Sequence, residues 1–371
     1  MIVNVPFVDL PRQIEPYLQE IRSKMEEVVF RRADFIMRED LLQFENRFAA
    51  YTGTRFTVGV ANGSDALNLS LKVLGIGAGD EVITVSHTFV ATLAAIVHAG
   101  ATPVLVDVGE DHVMDARQLK KLITKRTRAI LPVHLNGRVC DMGEILAIAR
   151  ENGLLVVEDS AQSIGASFKG KKAGSFGILS TNSFYPFKTL GCFGDGGAIT
   201  TDDEELVYKL RCLRDNGQDR ESGEIKFWGW NSRLDNLQAA ILLVMLGHVE
   251  QLIKRRREIA QKYWEELSGI AGLILPLPPA KETERFNPFQ NYVLQTPRRD
   301  ELVAHLKKEG IGVLISWPKP THHHPALNLL HYSLPVTEKL SREVVSIPMH
   351  PAMNDGEVKQ VSSAIQGFFK K

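Results

Sequence analysis

Along the first two thirds of the chain, short apolar runs alternate with amphipathic stretches. Residues 57–61, 81–85, 103–106, 129–133, 154–158 and 198–201 are brief and mostly apolar, and predict strands. Between them, residues 65–74, 90–99, 142–152 and 202–216 space their apolar positions at three and four, and predict helices. Such alternation implies βα units around a largely parallel sheet. From Asp235 the pattern changes: residues 236–247 and 249–267 read as two long consecutive helices with a breaker between them. A proline-rich connection (276–279) then leads to a strand (291–295), a helix (300–309), a strand (313–315) and a last helix (355–368). The pattern places a domain boundary near residue 246, with no internal repeat.

With 371 residues the chain exceeds one small core. Its 44 basic and 44 acidic residues give a formal net charge of zero, so no nucleic-acid partner is expected. The basic runs at 120–128 and 254–257 lie in helical pattern and read as solvated faces. The opening MIVNVPFVDLPRQ has no basic segment followed by a long apolar core, so no signal peptide is expected. The apolar run at 91–108 is interrupted by His98, Gly100 and Pro103, so no membrane span is expected there. Cys140, Cys192 and Cys212 lack metal-like spacing and predict reduced thiols in a cytoplasmic protein. His322, His323 and His324 are consecutive and cannot all face one ion from regular structure. No cysteine or carboxylate stands beside them in the sequence, so no metal is expected.

Candidate chemistry lies at the strand ends. The strand LLVVE runs into Glu158-Asp159, and ligands of open parallel sheets bind beyond such carboxyl ends. Asp159 reads either as a site carboxylate or as a helix cap. After residues 57–61 comes NGSDAL (62–67), where a glycine and a hydroxyl precede a helix. Gly63 and Ser64 could present amides to a phosphate there, or Ser64 or Asp65 could simply cap the helix. Phe89, in SHTFVAT, follows another strand and reads either as core or as cover for a flat ring. GIGAGD (75–80) looks like a dinucleotide fingerprint but lacks the third glycine and precedes a strand, so it reads as a helix-terminating turn rather than part of an NAD-dependent oxidoreductase. The last piece is SFYPFKTLGCFGDGGAI (183–199), where Lys188 sits among aromatics and glycines with no charged neighbour before Asp195. Apolar surroundings disfavour an ammonium, and such amines form Schiff bases with carbonyls. A phosphate cradle, a stacking ring, a carboxylate and this lysine together suit pyridoxal phosphate.

The stretches NGSDAL, TFVAT, EDSAQSIGA, SFYPFKTLGCFGDGGAI and GWNSRLDNLQAAI resemble the DegT/StrS family of pyridoxal-phosphate-dependent nucleotide-sugar aminotransferases, over nearly the whole chain. The resemblance implies an α/β type I aminotransferase fold, similar to aspartate aminotransferase. A large domain (1–246) would hold a mixed, mostly parallel sheet, and a smaller α+β domain would span 247–371. It also implies a homodimer with active sites shared across the interface. By resemblance, Lys188 carries the cofactor and shuttles the proton, and Asp159 partners the pyridine nitrogen. Gln162 lies near the ring hydroxyl and Phe89 stacks on the ring. Gly63, Ser64 and Ser183 hold the phosphate, and Asn231 reaches the phosphate of the neighbouring subunit. The family uses L-glutamate as donor, and pyridoxamine phosphate links its two half-reactions. Many relatives have histidine where Ile164 and Tyr185 stand, both expected at the sugar side of the pocket. The form FYP.K.LGC.GDGG resembles the branch acting on 3-keto sugars linked to dTDP or UDP, uronic acids included, with Arg220 either meeting a sugar carboxylate or solvated. Alternatives are a 4-keto nucleotide-sugar aminotransferase and a cofactor-binding regulatory protein.

Overall fold

The computed structural model describes residues 4–370. Its strands are β1 (Phe56–Val60), β2 (Glu81–Val85), β3 (Thr102–Val106), β4 (Thr127–Ile130), β5 (Leu155–Asp159), β6 (Ser167–Phe168), β7 (Lys171–Lys172), β8 (Leu179–Ser183), β9 (Gly197–Thr201), β10 (Arg285–Phe286), β11 (Tyr292–Gln295) and β12 (Val344–Ile347). Seven of them form one sheet in the order β1-β9-β8-β5-β4-β2-β3. Pairing is parallel from β3 through β2, β4 and β5 to β8, and antiparallel where β9 meets β8 and β1. Six strands therefore run one way and β9 alone runs back. The strands are buried along almost their whole length, as a sheet covered on both faces requires. Val58, Val82, Ile83, Ile130, Val157 and Ile199 pack into one core with helices Gly63–Val73 and Met142–Glu151.

Parallel strands place their carboxyl ends on one side. Asp159 ends β5, Ser183 ends β8, and β2 runs into residues 86–89. Because β9 is reversed, its first residue, Gly197, pairs with both Val60 and Ser183. That register brings the start of helix Gly63–Val73 against Ser183.

The sequence reading missed β8, whose LSTNS has little apolar character. Ser180 Oγ instead donates to Ser160 Oγ (2.9 Å), and Thr181 Oγ1 donates to the Glu158 carbonyl (3.1 Å). The expected breaker near Gly247 is absent: Asn236–Leu267 is one 32-residue helix. A glycine inside an otherwise strong helical pattern costs about 1 kcal/mol, too little to end it. By length and composition this helix could cross a membrane, yet 61% of its most apolar stretch is buried within the protein. Ala239 to Ile253 on this helix pack with Phe44, Phe48 and Phe184, and Ile259 to Leu267 pack with β11, β12 and helix Asp355–Phe369. The strand expected at 313–315 reduces to an isolated bridge between Leu314 and Ser346. Helices Leu18–Glu26, Glu39–Thr52 and Pro335–Glu343 were not anticipated.

Asp107, just after β3, ties the C-terminal part to the sheet. Its carboxylate accepts from the amides of Val336 (2.8 Å) and Thr337 (2.9 Å) and from Thr337 Oγ1 (2.7 Å). Asp107→Ala leaves these donors without an acceptor, and we expect a loss of about 2–4 kcal/mol in urea unfolding. An unchanged midpoint would show that the tie is not energetically significant.

Candidate active site

Asp159 is buried, with 5% of its surface exposed. Its Oδ2 accepts from Thr92 Oγ1 (2.8 Å), and its Oδ1 accepts from the Ala161 amide (3.2 Å). Thr92 sits in the first turn of helix Ala91–His98, and its oxygen lies 2.8 Å from Thr88 Oγ1. Burial pushes the Asp159 carboxyl up from its ordinary value, while Thr92, the Ala161 amide and the Lys188 charge pull the other way. A buried carboxylate in this position favours a cationic partner.

Lys188 occupies the loop between β8 and β9. The loop closes through Lys188 N–H to the Tyr185 carbonyl (2.8 Å) and Cys192 N–H to the Phe184 carbonyl (2.8 Å). At Gly191 a Cβ would lie 2.8 Å from the Pro186 carbonyl oxygen, so the return of the chain requires glycine. Gln290, just before β11, grips the residues on either side of the lysine. Its Oε1 accepts from the Thr189 amide (2.7 Å) and hydroxyl (2.9 Å), and its Nε2 donates to the Phe187 carbonyl (2.8 Å). Burial lowers the Lys188 ammonium to about 8, opposed by the charge of Asp159.

Beside them lies a cradle. Asn62, rather than Ser64 or Asp65, caps helix Gly63–Val73, its Oδ1 accepting from the Asp65 amide (2.8 Å). The Gly63 and Ser64 amides head the helix, outside its own hydrogen-bond ladder. A Cβ on Gly63 would lie 2.8 Å from Ser183 Cβ, and one on Gly197 would lie 2.4 Å from the Asn62 carbonyl. Amides, hydroxyls and the positive helix end thus converge where only glycine fits, a geometry suited to a phosphate.

Phe89 is 58% exposed, which removes the core alternative. It lies on the loop that leads into the helix carrying Thr92. Gln162 is oriented by the Asn136 amide, which donates to its Oε1 (3.0 Å), and Asn291 Nδ2 donates to Asn136 Oδ1 (2.9 Å). Asn231 is exposed. Its neighbour Ser232 donates to Asp65 Oδ2 (2.7 Å) and accepts from the Ala61 amide (3.3 Å), placing Asn231 at the rim beside the cradle helix.

One sequence expectation changes. Ile164 is buried in the apolar cluster that also holds Phe44, Phe48 and Phe184, instead of facing the pocket. Arg220 is solvent-exposed, one of the two alternatives left open for it, and its Nε also donates to Asp215 Oδ2 (2.7 Å), while Arg233 pairs with Oδ1 of the same carboxylate (3.1 Å). Tyr185 remains exposed, edge-on to Phe187. Sequence reasoning missed Thr92, Gln290 and Glu158. Glu158 is wholly buried and accepts from the amides of Gly174 (3.0 Å), Phe176 (2.7 Å) and Gly177 (2.8 Å), beside His134 Nε2 (2.9 Å). It anchors the strand end that carries Asp159. Only the pair ED in the motif hinted at it.

A nucleophilic lysine, a buried carboxylate and a glycine-lined anion cradle fit pyridoxal phosphate. This fold with this site makes the protein a pyridoxal-phosphate-dependent aminotransferase. The chain belongs to the DegT/DnrJ/EryC1/StrS aminotransferase family, which matches residues 17–366. It is 42% identical to the dTDP-3-amino-3,4,6-trideoxy-alpha-D-glucose transaminase of Streptomyces venezuelae, over 98% of this chain and 96% of that one. It is 37% identical to the UDP-2-acetamido-2-deoxy-3-oxo-D-glucuronate aminotransferase of Pseudomonas aeruginosa (97% and 99% covered). It is also 40% identical to the "Pleiotropic regulatory protein" of Geobacillus stearothermophilus, over 99% of each chain. Among solved structures, S. venezuelae DesV in complex with a ketimine intermediate superposes with a TM-score of 0.95, 40% identity and 99% of each chain covered. Bacillus subtilis NtdA with bound pyridoxamine phosphate gives 0.92 at 28% identity, over 100% of this chain and 86% of that one.

Two outcomes follow. In cofactor-stripped protein, the rate of pyridoxal phosphate recapture should rise with pH through about 8, as the Lys188 ammonium gives up its proton. An inflection near the ordinary value of 10.5 would contradict this. Gln290→Leu should fold but lose the grip on the lysine loop, slowing recapture about tenfold to a hundredfold. Wild-type recapture by this variant would remove Gln290 from the account.

Proposed function

We propose that the protein transfers an amino group from L-glutamate to the keto carbon of a 3-keto hexose or uronic acid linked to dTDP or UDP. It would act in the cytoplasm, in amino-sugar synthesis for cell-surface polysaccharide or a glycosylated metabolite. The observation that carries this reading is Lys188 opposite buried Asp159, in a chain whose relatives include enzymes named for 3-amino and 3-oxo nucleotide sugars.

When bound, pyridoxal phosphate supplies an exchangeable carbonyl and a ring that accepts electrons. Asp159 provides the carboxylate that keeps the ring nitrogen protonated. Gly63, Ser64 and Ser183 anchor the phosphate, Gln162 orients the ring and Phe89 covers one face. Lys188 Nζ, its pKa lowered by burial, takes the proton from the α-carbon of glutamate. In the second half-reaction it delivers a proton to the former keto carbon of the sugar. Each transfer needs the amine within reach of that carbon, so the Gln290 clamp matters as much as pKa.

We infer a homodimer with shared sites. Support comes from rim-exposed Asn231 and from Trp228, 92% exposed on the same loop. We also propose that a large cofactor-binding domain extends to about residue 246 and a small domain from 247. The regulatory reading draws on the name of one relative. It predicts binding of cofactor without turnover.

The deciding experiment titrates the cofactor-loaded protein with 3-amino and 4-amino sugars on dTDP and UDP, following the visible absorption band. Bleaching by a 3-amino sugar supports the proposal. Bleaching only by a 4-amino sugar moves the reaction to C4, and no response to any amino sugar favours the regulator. Lys188→Ala should abolish turnover. Mixed dimers of Lys188→Ala and Asn231→Ala subunits should regain one working site; no recovery would contradict site sharing.

A further inference from the structure

Three residues outside the cofactor site come together in a way the sequence did not suggest. His322 is fully buried on the turn Thr321–His323, with His323 beside it. Glu338, from the first turn of helix Pro335–Glu343, meets both. Its Oε1 lies 3.5 Å from His322 Nε2 and 3.7 Å from His323 Nε2. The three ligand atoms all lie within 4.8 Å of one another. The carboxylate missing from the local sequence is thus supplied by the fold.

The distances are informative. A strong N–H···O bond spans about 2.7–3.2 Å, so these contacts are long for hydrogen bonds. In a tetrahedral zinc site, metal–ligand bonds of about 2.0–2.1 Å put neighbouring ligand atoms about 3.4 Å apart. The two separations from Glu338 lie near that edge, and the two histidine nitrogens lie within 4.8 Å of each other.

The surroundings are also those of a metal site. His322 Nδ1 lies 2.8 Å from Ser86 Oγ, and the same oxygen accepts from the His322 amide (3.1 Å). That pairing fixes the ring and turns Nε2 toward Glu338, with Ser86 Oγ in the place of the second-sphere acceptor that orients a metal-bound histidine. Glu338 Oε1 is positioned by the Leu334 amide (3.0 Å). His323 is 38% exposed and Glu338 24%, which leaves an approach for an ion and room for water as a fourth ligand. Buried Asp107, bonded to Val336 and Thr337 in the same first turn, adds a second negative charge nearby.

We propose that His322, His323 and Glu338 form a binding site for a zinc-type dication, with water completing a tetrahedron. Imidazole and carboxylate ligands in this geometry suit Zn2+ or Co2+ better than Mg2+ or Ca2+. The ion would join the Thr321–His323 turn to helix Pro335–Glu343. Through Ser86 it would also stiffen the segment leading to Phe89. Phe89, Trp317, Thr321 and His324 line one cavity of about 480 Å³, so this clip would sit behind a wall of that cavity.

The test uses the holoenzyme, whose visible cofactor band reports folding in every variant. Chelator competition with Zn2+ should give one tight ion per chain in the wild type. His323→Ala and Glu338→Gln should each weaken it at least tenfold; Gln at 338 keeps an oxygen for the Leu334 amide. Ser86→Ala should weaken it about tenfold to a hundredfold while leaving the ligands in place. Co2+ in place of Zn2+ should give the intense visible bands of a tetrahedral centre, absent in His323→Ala. Equal Zn2+ affinity in wild type and both ligand variants, weak octahedral Co2+ bands, or no binding by the wild type would each overturn the proposal.

Discussion

Everything at this site depends on keeping one carboxylate out of water. Asp159 ends a buried strand, and burial raises its carboxyl while the Lys188 charge pulls it down. Desolvating an ion costs several kcal/mol even after relaxation. The rest of the fold offsets that cost. Thr92 and the Ala161 amide supply hydrogen bonds to the carboxylate. Glu158, one residue earlier and wholly buried, is held by three amides and His134. Two adjacent acids at one strand end thus have different surroundings: Glu158 fixes the backbone, and Asp159 lies at the candidate site.

The same burial acts on Lys188 in the opposite sense. It lowers the ammonium to about 8, where a useful fraction is neutral near physiological pH. A side chain with four rotatable bonds gains nothing from a favourable pKa if it wanders. The Gly191 turn and the Gln290 bridge hold its backbone from both sides. Reactivity here is a joint product of desolvation and positioning, and neither is local to the lysine.

Much of the fold was legible because apolar runs bounded by turns map directly onto buried parallel strands. Glu81–Val85 is as anticipated, and most other elements shift by a few residues. The failures have physical causes. β8 is polar because its hydroxyls bond within the sheet, and a single glycine could not break a 32-residue helix. At the candidate site, Lys188, Asp159, Phe89, Gly63, Ser64 and Ser183 could be singled out in the sequence because each stands in a short motif of special chemistry. Thr92 was hidden inside a quoted motif as an ordinary hydroxyl. Gln290 lies 102 positions from Lys188, and no local pattern announces a contact made by the return of a distant segment. The Ile164 expectation failed because a position beside the motif glutamine faces the hydrophobic core of the N-terminal helices.

The one reversed strand resolves how a phosphate seat and a lysine can share one edge. Had β9 run parallel, Gly197 would sit at the far end of the sheet, and a crossover helix would separate it from Ser183. Running antiparallel after the loop 184–196, it brings Gly197 opposite Ser183 and against Asn62. That contact sets the first turn of helix Gly63–Val73 beside the end of β8, while the intervening loop carries Lys188. The loop is therefore constrained at its two ends by the strands that border the cradle. A cofactor bridging Lys188 and the cradle would span elements whose relative position is already fixed by sheet hydrogen bonds. The separation between the lysine backbone and the phosphate seat is thus set before any cofactor arrives, which is the condition for binding energy to go into orientation rather than into ordering the site.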